Sequence, residues 1–239
     1  MEFGAGLWDP EPNLVVSSEA LGVAGTEIDL VKDLGVERKR VGEFRVALRP
    51  ARKHKFRIQY RPVLYEQSAV LERDIVFNGQ VYHVGLPVNS TFDWKTWRFG
   101  YEYDFVYTNR GFVGVIAEVK YTDVRVALDS PLASEFAKAR GPVPSIGGIA
   151  RAYPASNVSV TLELTGSTTK LLESSKIIKG LDETHSGKYV DYDVYGTVNF
   201  TDHVGAQVGY RSVYVDYHID NDTGDLTLKG LYFMGVVRF

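Results

Sequence analysis

Residues Lys188–Thr201 alternate without a break between two kinds of side chain. Val190, Tyr192, Val194, Gly196, Val198 and Phe200 are apolar or small, while the interleaved Tyr189, Asp191, Asp193, Tyr195, Thr197 and Asn199 carry polar groups. A period of two puts each set on its own side of a β-strand. The same rule runs through Glu43–Arg49, Lys55–Tyr65, Trp97–Thr108 and Val158–Thr165. A chain patterned in this way folds as antiparallel β-sheet with one apolar and one polar face.

The connections alternate in length. Short ones fall at Pro50–His54, Thr108–Gly111, Pro154–Asn157 and Thr201–His203, and long ones near Glu19–Val41, Glu66–Thr96, Asp129–Pro144 and Ser167–Gly187. Short turns at one rim and long loops at the other describe an up-and-down transmembrane barrel. Counting back from Phe239 gives strands near 226–239, 204–219, 188–201, 157–166, 145–153, 111–127, 97–108, 55–66 and 43–50. One more near 3–17 makes ten, and eight is the alternative, because Pro10 and Pro12 interrupt the first strand and proline cannot donate to a ladder. Leu132–Arg140 reads as a short amphipathic helix inside a loop. No segment looks like a linker, so 1–239 is taken as one domain.

Composition removes other classes. Without cysteine there is no disulfide, thiolate metal site, cysteine nucleophile or lipoprotein anchor. No apolar run reaches the roughly 18 residues of a membrane helix. A net charge of −3 gives no basic surplus for nucleic acid. Met1–Gly4 begins no signal peptide, which leaves a cytosolic protein or an exported one supplied without its leader.

A soluble barrel or sandwich of lipocalin type also alternates, but it turns its apolar face inward. Two observations favour the reverse here. The polar faces hold many charges near strand centres: Arg45, Arg49, Arg57, Arg61, Arg98, Lys120, Arg151 and Arg211, opposed by Glu102, Asp104, Glu118, Glu163, Asp191 and Asp193. In a narrow lumen such groups can pair. Aromatics also end the apolar faces, Trp97 with Tyr107 and Tyr192 with Phe200. At about 3.3 Å per residue and a tilt near 40° these pairs span about 20–25 Å, the height of an apolar band between aromatic girdles.

The last strand is the most specific feature. Leu231, Phe233, Val237 and Phe239 alternate on one face and the chain ends in Phe. This resembles the closing signature of bacterial outer-membrane barrels, and the chain looks like the small-barrel group that includes OmpA-type and OmpW-type membrane domains. Thr26–Leu30 with Asp33–Gly35 resembles segments of other barrels in that group. The resemblance implies an integral outer-membrane location, contact with outer-membrane lipid and lipopolysaccharide, and recognition of the final strand by the barrel-assembly machinery.

Candidate chemistry is sparse. Asp216 and His218 share a strand face near a rim, without a serine at a recognisable spacing. Asp220–Asp225 lacks the Glu that a calcium loop needs at its twelfth position, and reads as a turn. No catalytic residue, metal or cofactor is assigned. Arg38–Arg40 and Arg52–Lys55 are basic clusters at opposite rims, facing lipopolysaccharide phosphate and periplasmic headgroups respectively, or simply solvated. The expected function is a structural or interaction barrel with a charged, occluded lumen, acting through its extracellular loops toward an unidentified partner. A narrow solute channel and a lipid hydrolase are the alternatives. Little conductance is expected, and joint replacement of Arg57, Arg61, Asp191 and Asp193 by Ala is expected to open one.

Overall fold

A computed structural model describes residues 1–20, 22–168, 186–219 and 222–239. Ten long strands form one antiparallel sheet in chain order: β1 (Glu2–Ser18), β3 (Val41–Ala51), β4 (His54–Val70), β7 (Pro87–Thr108), β8 (Gly111–Asp129), β9 (Ser134–Ala155), β10 (Val158–Thr168), β11 (Ser186–Asn199), β12 (Val204–Ile219) and β13 (Asp222–Arg238). β1 pairs with β13 over its whole length, from Glu2 opposite Arg238 to Ser18 opposite Asp222. The sheet is therefore a closed ten-stranded barrel, and closure leaves no edge exposed. The eight-stranded alternative is excluded. β1 keeps its prolines because β3 pairs only with Glu2–Trp8. Leu14, of the same parity as Pro10 and Pro12, turns its carbonyl away from β13 to accept from the Leu30 N–H. The missing proline donors thus point where no barrel strand remains to receive them.

The short turns lie where the sequence puts them, but the strands run further toward the long-loop rim. β4 continues to Val70, β7 starts at Pro87, and only Ser130–Ala133 separate β8 from β9. The Leu132–Arg140 helix does not form. From Ser134 onward the segment is strand, paired with β8 from Asp129 opposite Ser134 to Asp123 opposite Arg140. Helix propensity in an Ala/Glu/Lys-rich stretch is a weak preference that a continuous ladder overrides.

β7 and β9 are 22 residues each, which at about 3.3 Å per residue and a tilt of about 40° spans roughly 55 Å, twice the apolar band of a membrane barrel. The outward face of β7 shows how that height is divided. Trp97, Phe99 and Phe105 are exposed and apolar, whereas Asn89 and Lys95, above them on the same face, are exposed and polar. The inward face inverts in step: Val88, Phe92 and Trp94 are buried above, and Arg98, Glu102 and Asp104 are buried below. Lipid outside goes with charge inside, and water outside with an apolar core inside.

Above the membrane band the core is filled from within the barrel and from the loops. Leu14, Val63, Phe92, Val126, Val213 and Leu226 point in from six strands. The segment after β1 folds over them through β2 (Ile28–Asp29), burying Ile28, Leu30 and Leu34 to 1% exposure or less. A hairpin of β5 (Ile75–Phe77) and β6 (Gln80–Tyr82) completes the cap. Its two turn residues, Asn78 (φ 50°) and Gly79 (φ 78°), take the left-handed conformation that a tight hairpin needs. Arg73 ties cap to hairpin, donating to the Asp33 carboxylate at 2.6 and 2.9 Å and to the Glu27 carbonyl at 2.6 Å. These bonds hold the Asp33 carboxyl below its ordinary pKa of 3.8, so the clasp is intact at neutral pH and is lost only as pH falls below that value.

Candidate functional site: the charged lumen

Within the membrane band the strand period aims every second residue at the axis, and those residues are mostly ionic. Arg98 on β7 is the centre. Its guanidinium donates to Glu118 at 2.9 Å, to Glu163 and Asp191 at 3.1 Å each, and to the Gln59 side-chain amide oxygen at 3.2 Å. Three carboxylates from β8, β10 and β11 thus converge on one cation. Arg57 on β4 reaches Glu163 at 2.6 Å and Glu102 at 3.6 Å. Arg61 lies 3.6 Å from Asp191. Lys120, fully buried, meets Glu118 at 3.2 Å and the Thr165 hydroxyl at 3.0 Å.

A second hub forms across β3, β11 and β12. Arg211 donates to Glu43 at 2.5 Å and to Asp193 at 2.8 Å. Asp193 also accepts from the Tyr232 hydroxyl at 3.0 Å and lies 3.6 Å from Arg45. Toward the short-turn rim, Arg49 approaches Asp104 at 3.3 Å and Glu102 at 3.8 Å. Arg151 has no carboxylate within ion-pair distance among the described residues; it donates to Thr161 at 2.7 Å and to the Tyr195 hydroxyl at 3.1 Å.

Of the fourteen charged residues expected in the lumen, thirteen are buried or half-buried on the inward face, and Arg49 is exposed at the short-turn rim. The sequence reading omitted Glu43 and Lys55, the latter 2.8 Å from Glu102. Both share parity with arginines already assigned inward, Glu43 with Arg45 and Lys55 with Arg57, and that parity was the available signal. Trp8 was missed as well. Fully buried, it stacks beneath Arg61 and Arg211 at 5.1 and 5.7 Å and donates its indole N–H to the Gly230 carbonyl at 3.2 Å. It lies where ionic lumen gives way to apolar core. The void among Arg45, Arg57, Gln59, Arg98 and Glu163 measures about 10 Å³, at the lower limit for one water molecule.

The remaining expected positions lie outside the lumen. Leu231, Phe233, Val237 and Phe239 face outward on or just after β13, and Trp97 and Tyr192, midway along β7 and β11, and Phe200, just after β11, are exposed as well. Tyr107 does not join the outer girdle: a register shift between Asp104 and Val106 pairs it with buried Phe112, on which it stacks beneath Arg49 on the lumen side. Phe3 and Phe239 meet edge to face across the barrel closure. Asp216 and His218 are exposed on the outer face of β12, opposite Asp225 and Thr223 of β13. Asp220 and Asn221 of the acidic turn lie outside the described residues, as does His185.

No protein-family model matches the chain, and no curated protein matches it in sequence. Among solved structures, the outer membrane protease OmpT from Escherichia coli superposes with a TM-score of 0.56 at 8% identity, over 98% of this chain and 95% of that one. The transport unit of the Escherichia coli autotransporter AIDA-I gives 0.45 at 8% identity, over 100% and 89%. The attachment invasion locus protein Ail of Yersinia pestis gives 0.39 at 7%, over 98% and 99%. The first of these supports the fold. With the exposed apolar band, it makes this the fold of an integral bacterial outer-membrane β-barrel.

Proposed function

We propose that the protein is a closed, non-enzymatic barrel that holds a rigid extracellular tier above the outer membrane and acts through that tier. What supports this is that side chains fill the interior at two successive levels. Ions entering from the periplasmic side meet paired side chains around Arg98 and Arg211, and beyond them a dry core around Leu14, Phe92 and Leu226. The tier's long strands and capped interior supply a stiff surface for recognition, as rigid scaffolds do for binding loops. The final strand's alternation remains the ground for relating the chain to small OmpA-type and OmpW-type membrane domains and for recognition by the assembly machinery.

Conductance tests the proposal. The unmodified protein in planar bilayers is expected to give no steady current. The variant R57A/R61A/D191A/D193A is also expected to stay silent, contrary to what the sequence suggests, because it leaves the apolar tier untouched. Stable, ion-selective conductance of the unmodified protein would replace this reading with the narrow channel.

A further inference from the structure

The outer surface of β7, β8 and β9 carries a lipid-shaped sequence of rows. Ladder pairing places Tyr101, Ala117 and Ile146 in one row, and Phe99, Val119 and Pro144 in the next above. Ala117 is small among large neighbours, so the rows enclose an apolar furrow of about 640 Å³, extended on the β4 side by Phe56 and Ile58. That volume is in the range of roughly 300–1,000 Å³ typical of small-molecule sites, and it opens toward the hydrocarbon. Above it comes the aromatic row of Trp97 and Tyr121, and above that two charged rows: Lys95, Asp123 and Arg140, then Asp93, Arg125 and Lys138.

The charges in those two rows do not cancel. Lys95 is taken by Asp93 at 2.5 Å and Lys138 by Asp123 at 3.2 Å. Arg140 and Arg125 have no carboxylate partner among the described residues, and Arg125 lies 4.7 Å above the Phe136 ring. Diagonal neighbours on adjacent strands are about 7–8 Å apart, close enough for two guanidiniums to share one phosphorylated headgroup. The pair stands immediately above the aromatic girdle, at the level of lipid headgroups. Guanidinium binds phosphate through paired N–H donors.

We infer that β7–β9 form a binding site for an outer-leaflet lipid, with its phosphate on Arg125 and Arg140 and an acyl chain in the furrow over Ala117. The site is independent of whether the lumen conducts. It is tested with the full chain in nanodiscs made with either diphosphorylated lipid A or phosphatidylcholine alone, counting retained lipid by native mass spectrometry after detergent transfer. The unmodified protein should retain lipid A and not phosphatidylcholine. R125A/R140A should retain on the order of tenfold less, with partial recovery in R125K/R140K, which restores the charge without the paired donors. A117L, which fills the furrow and keeps every charge, should also lose retention while unfolding at the same temperature. Equal retention by the unmodified protein, R125A/R140A and A117L, or equal retention of the two lipids, would overturn the inference.

Discussion

Arg98→Ala should cost about 3–5 kcal/mol of unfolding free energy, the range for breaking a buried ionic group by removing one partner. The side chain is 7% exposed and serves Glu118, Glu163 and Asp191 together. Its loss returns each carboxylate to a more distant or already engaged cation: Lys120 for Glu118, Arg57 for Glu163, and Arg61 for Asp191. Arg98→Lys should recover part of the loss, since a point charge replaces the Coulomb attraction without the planar fork. The exposed pair of Arg38 and Asp9 is the contrast, where Arg38→Ala should change stability by less than about 1 kcal/mol. Urea unfolding in lipid vesicles measures all three. A loss below about 1 kcal/mol for Arg98→Ala would mean that the network is not cooperatively satisfied around that residue.

Trp8→Ala should have a comparable effect for a different reason. The indole fills the layer between the two tiers, so its removal leaves a cavity bounded by Arg61 and Arg211 on one side and apolar core on the other. Truncating a buried Trp typically costs about 3–5 kcal/mol. Here it also strips two guanidiniums of an aromatic face. Trp8→Phe keeps a ring in place and gives up the hydrogen bond to Gly230, worth about 1 kcal/mol. A ratio near one between the two losses would show that the indole N–H, and not the volume, fixes this layer.

Much of the membrane half was legible because strand period and solvent act together there. Residues such as Phe99 and Arg98 differ in polarity at adjacent positions, and lipid outside a narrow lumen leaves one arrangement for them. Side-chain parity carried the assignment of the inward charges, including Arg151, which has no acidic partner among the described residues. The upper half was read as loops. Its period of two persists through Val88, Ser90, Phe92 and Trp94, but the polarity of each face reverses when water replaces lipid outside. Asn89, Asp93 and Lys95 then look like loop composition. The 134–140 segment adds high helix propensity, and only the ladder with β8 decides its conformation. The capping role of Ile28, Leu30 and Leu34 was not legible either, because it depends on a long-range packing that no local pattern encodes.

The polarity reversal along a single strand face is therefore the centre of the account, and cysteine labelling reads it directly, since the chain has no native cysteine. Single substitutions Asn89→Cys, Asp93→Cys, Lys95→Cys, Phe99→Cys, Tyr101→Cys and Phe105→Cys sample the outward face of β7 from top to bottom. In proteoliposomes a membrane-impermeant maleimide should label the first three and spare the last three. A fluorophore attached under denaturing conditions before refolding should be quenched by nitroxide-bearing acyl chains only at Phe99, Tyr101 and Phe105. Uniform labelling along the face, or acyl-chain quenching at Asp93, would contradict the two-tier barrel.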